Sequence, residues 1–240
     1  MNYEDRARFE LNVWKDEMRK KPNILEKVSK DVQYKINGIL PDKYHDILTS
    51  TIKNFTKIVL FGSKYITKSP LYSLTLEERE QMLEEKSNYY KTAATIEGAA
   101  TGAGGIMLGL ADLPILLSIK IKFLYDIASI YGYDVNDYFE RLYVLHIFEL
   151  AFSSKKHTNK VFLRLENWDD YVKTLPRDIN AFDWRAFQQE YRDYLDIAKL
   201  LQLVPGIGTF VGSYVNNKLL KKLSMTAKNA YRMRYFKSTI

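Results

Sequence analysis

The stretch Glu97-Gly-Ala-Ala-Thr-Gly-Ala-Gly-Gly-Ile-Met-Leu-Gly-Leu-Ala-Asp112-Leu-Pro114 decides how the chain folds. It runs uncharged for 14 residues from Gly98 to Ala111, bracketed by Glu97 and Asp112, and Leu113 to Ile119 adds seven more uncharged residues. Gly98 with Gly102, and Gly105 with Gly109, repeat at a spacing of four. Each pair therefore lies on one helical face and lets a second helix backbone approach closely. A membrane span needs about 20 predominantly apolar residues, and this stretch would place Asp112 and several glycines near its middle, where a charge costs several kcal/mol. Two readings remain: a Gly-rich helix packed tightly in a soluble core, or a hairpin that dips into one leaflet. A second uncharged segment, Leu200 to Asn217, is interrupted by Gln202, Pro205-Gly206, Asn216 and Asn217, and it repeats the small-residue spacing at Gly208 and Gly212.

Outward from these segments the chain reads as helix. Ile24, Val28, Val32, Ile36 and Ile39 recur at spacings of three and four, one apolar stripe on one face. Pro22 suits its first turn, and Gly38 with Pro41 ends it. Tyr44, Ile47, Leu48, Ile52, Phe55 and Val59 form a second stripe. Residues 63–74 read as a loop. Thr75 with Glu78 is a capping box opening a polar helix through Tyr90. Asp112 is placed to cap a helix with Pro114 in its first turn, ending before Gly132, and Asp134 to cap the next, through Phe152. Residues 153–160 read as a loop and 161–172 as a helix, with Pro176 as its break. Asp183 caps a helix whose stripe is Trp184, Phe187, Tyr191, Leu195, Ala198 and Leu201. Ser224 is placed to cap a last basic helix. Strand and hairpin signals are scarce. The expectation is an all-α fold of about nine or ten helices packed around Gly-rich apolar helices, in a single domain over residues 1–240 with 63–74 as a possible internal boundary.

With 240 residues, 46% apolar and 27% charged, the chain has the composition of a globular protein and enough length for a sizeable core. It contains no cysteine, which excludes disulfides, thiolate nucleophiles and Cys-ligated zinc. The N-terminal residues carry no secretory or myristoylation pattern, so the expected location is the cytoplasm. The net charge of +7 is unevenly placed. After Asp196 come eight cations and no side-chain anion in 44 residues, leaving 28 cations against 29 anions in residues 1–196. Lys218, Lys221, Lys222, Lys228, Arg232, Arg234 and Lys237, beside Tyr231, Tyr235 and Phe236, compose a patch suited to an anionic headgroup layer. The near-neutral body and the lack of a nucleic-acid motif argue against nucleic acid. The expected partner is an anionic membrane surface or an integral membrane protein, with the cytoplasmic leaflet as its place of work. A solvated helix face is the rival reading.

Catalytic signatures are weak. There is no His-Glu-x-x-His, no Gly-x-Ser-x-Gly, and no phosphate loop ending in Gly-Lys-Ser/Thr, so neither a zinc nor a nucleotide cofactor is indicated. His146 and Glu149 stand three apart on one helix and can touch. Glu97 flanks the apolar segment. These three are the candidate catalytic residues, against readings of His146 as a hydrogen-bonded core residue and of Glu97 as an ion-pair partner of Lys120 or Arg141.

Six motifs in series resemble the EcsC protein family: Glu97 to Gly105, Gly109-Leu-Ala-Asp-Leu-Pro114, Tyr131-Gly-Tyr-Asp134, Phe182 to Arg192, Leu203-Val-Pro-Gly-Ile-Gly208 and Asn229 to Arg234. Within them, Glu97, Gly98, Gly102, Gly104, Gly105, Gly109, Asp112, Pro114, Pro205, Gly206 and Gly208 carry the likeness, which covers nearly the whole chain in order. The resemblance implies a bacterial companion of the ATPase and membrane subunit of an ABC-type transporter linked to secretion. It implies no defined activity. A peptidase-like hydrolase and a soluble helical scaffold are the alternatives.

Overall fold

In a computed structural model, the described residues are 1–20, 50–52, 54, 56, 59, 69–101, 113–181, 183, 185–186, 190 and 212–238. They form seven α-helices: α1 Tyr3–Arg19, α2 Leu76–Thr101, α3 Leu113–Ile130, α4 Tyr138–Phe152, α5 Lys155–Glu166, α6 Trp168–Lys173 and α7 Gly212–Ser238, with a short 3-10 turn at Ile179–Ala181. The described positions between 50 and 59 are also helical, and Ile52 and Val59 are buried, in keeping with the second stripe. The protein is all-α. The number of helices read from the sequence is not reproduced among these residues. Three features of that reading lie outside them: the stripe from Ile24 to Ile39, the glycines from Gly102 to Gly109, and the segment around Pro205.

Local chemistry sets the helix ends. Asn2 and Asp5 close a capping box on α1, a helix that the periodicity reading did not find. Thr75 and Glu78 form the expected box on α2. That helix runs on past Tyr90 to Thr101, taking Glu97 and Gly98 into its last turns. Its continuation reflects a lack of any breaker between Tyr90 and Gly98.

The end of α3 is a Schellman motif. Tyr133 N–H donates to Ala128 O, Gly132 N–H donates to Ser129 O, and Gly132 takes φ +88°. A Cβ there would lie 3.2 Å from Leu71 O, so glycine also admits the close passage of residues 69–72. Arg79 ties this corner together. It donates to the carbonyls of Leu71, Tyr72, Leu74 and Ile130.

Three expected ends move. Asp137 caps α4 through Phe139 N–H, whereas Asp134 spends its carboxylate on Asn136 N–H in the preceding turn. Lys155 and Lys156 belong to α5 rather than to a loop, which shrinks to the Ser153-Ser154 joint. Ser224 lies inside α7, which is continuous from Gly212, so it caps nothing. Each of these rests on a residue type that caps and turns equally well in several registers, so the tertiary frame chooses.

Two helices form the centre. Every residue of α4 from Glu140 to Phe152 is buried, the pattern of a helix surrounded on all sides. The second is α7, which lies most extensively along α2 and also meets α4, α1, α3 and α5. Leu220, Leu223, Ala227, Ala230 and Tyr231 form its inner side. The small side chains of Ala227 and Ala230 let neighbouring helices close on it. Placing the most basic element of the chain in the core creates the electrostatic problem that defines the site.

Candidate functional site

Helix α7 solves that problem with carboxylates from distant parts of the chain. Arg232, only 2% exposed, donates from Nε to Glu80 Oε1 at 2.6 Å and from Nη2 to Glu80 Oε2 at 2.7 Å. Its Nη1 reaches Glu10 Oε2 at 2.9 Å. Lys228 Nζ lies 2.9 Å from Glu80 Oε2, and Tyr3 O–H donates to the same oxygen at 2.7 Å. Glu80 thus gathers a forked guanidinium, an ammonium and a phenol, the geometry in which charge-assisted hydrogen bonds are strongest. Burial by itself would raise the Glu80 carboxyl, but Arg232 and Lys228 hold it below the ordinary value. Burial and Glu80 together push the Tyr3 phenol up to about 12.

A second pairing sits two residues along. Arg234 Nη1 donates to Glu140 Oε2 at 2.5 Å, and Tyr231 O–H donates to Glu140 Oε1 at 2.6 Å. The guanidinium lies 3.5 Å from the Tyr133 ring centroid and 4.6 Å from that of Tyr143, a cation held between two aromatic rings. Burial raises the Glu140 carboxyl against the opposing pull of Arg234 and Tyr231. Tyr231 also stacks on Tyr131 with centroids 5.1 Å apart. The outcome is an internal polar spine that joins α1, α2, α4 and α7.

The cations expected at a membrane surface divide between the interior and the exterior. Arg232 and Arg234 face inward, Lys228 pairs with Glu80, and Lys237 Nζ lies 3.3 Å from Asp169. Lys222 is half-buried, and of the cations of α7 Lys218 and Lys221 are the two that stand exposed without an ion pair among the described residues. The sequence carried a signal that could have found this. Arg232 and Arg234 lie among apolar residues of a helix that contains no carboxylate of its own, and Glu140 opens the wholly buried stretch of α4. Buried charges must be paired, so each of them demanded a distant partner.

Of the catalytic candidates, His146 and Glu149 do meet. His146 Nδ1 lies 2.7 Å from Glu149 Oε2, and both side chains are essentially inaccessible. Trp168 and Tyr171 meet the imidazole edge-on. The hydrogen bond lies within α4, and the ring contacts join His146 to Trp168 and Tyr171 of α6. Glu97 lies on α2, but its side chain is outside those described, as are Asp112 and the glycines from Gly102 to Gly109. Arg141 is committed to the carbonyls of Val135 and Asn136. No group of His, Asp and Glu able to hold a metal occurs among the described residues. No described helix is long and apolar enough to cross a membrane.

These features define a class: an all-helical protein built around a buried, ion-paired C-terminal helix. The chain matches the model of the EcsC protein family over residues 5–236, and it belongs to that family. It is similar to Protein EcsC of Bacillus subtilis (strain 168), 42% identical over 227 residues that cover 94% of this chain and 93% of that protein. It is also similar to the uncharacterized protein YdbA of the same organism, 32% identical over 171 residues, covering 70% of this chain and 60% of the relative. No solved structure matches the chain significantly.

Proposed function

We propose that this protein is an accessory or regulatory component at the cytoplasmic face of a cell membrane, reaching an anionic lipid surface or an integral membrane partner through the start of α7. The observation that supports this is the exposure of Lys218 and Lys221, one turn apart and unpaired among the described residues, directly after the uncharged segment 200–217. Met225, 48% exposed, continues the same face one turn further on. Cations bordering apolar side chains suit a headgroup layer. Each Lys or Arg near an anionic leaflet contributes about 1 kcal/mol. A patch this small holds the protein reversibly and gains from any apolar contact beside it. A transporter of the ABC type is the partner that the family resemblance suggests.

Sedimentation with phosphatidylglycerol-containing and with purely phosphatidylcholine vesicles tests the reading. Pelleting with the anionic vesicles alone, weakened by added salt and by Lys218→Glu with Lys221→Glu, is the expected result. Binding that survives both changes assigns attachment to other parts of the chain. A lack of pelleting at any ionic strength defeats the lipid reading.

A further inference from the structure

The opposite end of α7 carries a different surface. Between α1, α5 and α7 lies an open cleft of about 180 Å³. Leu11, Met233 and Phe236 supply its apolar walls, and Arg8, Lys15 and Lys237 supply cations, Lys237 with its Nζ 3.3 Å from the exposed Asp169. Glu166 is the carboxylate lining the cleft, and it is already engaged by Lys15 at 2.8 Å and Arg19 at 2.6 Å. Arg8 sits over the Phe236 ring, 4.2 Å from its centroid, and meets no carboxylate among the described residues. The cleft is thus apolar inside and positively charged at its border.

We propose that this cleft docks a short acidic segment of a partner protein, which inserts one apolar side chain between Leu11, Met233 and Phe236 and sets flanking carboxylates against Arg8, Lys15 and Lys237. Size selects this occupant. The volume falls below the ~300–1,000 Å³ of pockets that enclose a drug-sized ligand, and it suits a single side chain. Charge complementarity requires the flanking residues to be acidic. Position separates the cleft from the lipid-facing cations. Phe236 follows Lys218 by 18 residues of one continuous helix, a separation of about 27 Å at 1.5 Å per residue. That exceeds the ~8–10 Å Debye length at physiological salt. The docking proposal does not require the membrane reading to hold.

The probe is a fluorescein-labelled decapeptide with one Leu or Phe among Asp and Glu residues, titrated with the full chain by fluorescence anisotropy. Saturable binding is expected. It should weaken at least tenfold when the apolar residue becomes Ala, when the acids become Asn and Gln, or when the protein carries Arg8→Glu. Arg8 also braces Phe236, so Asn12→Trp, on the exposed border of the cleft, provides a variant that blocks entry with an unchanged melting temperature. Lys218→Glu with Lys221→Glu should leave peptide binding intact while reducing vesicle binding, which separates the failure of one reading from failure of the other. The proposal is overturned by a peptide that does not bind, by equal binding of the neutral peptide, or by binding indifferent to Asn12→Trp. It is also overturned if anionic vesicles, rather than the peptide, respond to Arg8→Glu and Asn12→Trp.

Discussion

Arg232 and Glu80 show what a buried charge demands of a sequence. Truncating one partner of such a pair strands the other in a low-dielectric interior, a loss of about 3–5 kcal/mol. Arg232→Ala is expected to lower the unfolding free energy by about that much in urea titrations, because Glu80 would keep only Lys228 and Tyr3. An unchanged midpoint would show the pair to be neutral. The same titrations repeated from acidic to neutral pH test the electrostatic cause. The Glu80 carboxyl is held low in the fold, so the unfolded chain binds its proton more readily. The stability it contributes is fully present above the unfolded-state value of about 4.3 and is lost as pH falls through the lower folded value. Glu80→Gln should therefore destabilise most near neutrality and flatten the acid limb of the wild-type curve. Glu140 works in the opposite sense. Its carboxyl is raised, so its ionisation weighs against the fold as pH climbs through that higher value.

At the scale of the helix, caps separate what local sequence decides from what it leaves open. Thr75 with Glu78 caps as its spacing predicts, and Asn2 with Asp5 closes a box of the same spacing, since in each both partners lie within one turn. Ser224 has the right chemistry for a cap and no opportunity to act as one, because α7 already runs helical on both sides of it. The two roles make different predictions. Loss of a capping Ser costs about 0.5–2 kcal/mol, whereas Ala replaces Ser inside a helix with a gain in propensity. Ser224→Ala is expected to shift the thermal midpoint by no more than a degree or two, and a fall comparable with loss of a cap would return the helix start to that position. The helix α1 carries a clear local signal that the sequence reading passed over: Ala7, Leu11 and Trp14 recur at spacings of four and three, one buried stripe among many charges.

Its contacts make α1 part of the whole molecule rather than an appendage. Tyr3 reaches Glu80, Glu4 accepts from Tyr235, Glu10 meets Arg232, and Trp14 packs edge-on against Phe162. Removing residues 1–20 should uncover Met233 and Phe236 and strip Arg232 of one of its two carboxylates. The expected readout is a less cooperative unfolding transition with stronger binding of a hydrophobic dye, and a truncated chain that melts like the full one would make α1 dispensable.

The all-helical class, the Thr75 and Asp183 caps, the end at Gly132 and the contact of His146 with Glu149 were legible because each depends on residues a few positions apart. Short spacings restrict backbone and side-chain geometry by themselves. The destination of the basic tail was not legible in this way. Glu80 and Arg232 are 152 residues apart, and Glu140 and Arg234 are 94 apart. Net charge along the chain says that cations are present but not which face of a helix meets solvent. Only the packing of α7 against α2 and α4 turned Arg232 and Arg234 inward and left Lys218 and Lys221 outside, because a desolvated cation is stable only where the tertiary fold brings a carboxylate to it.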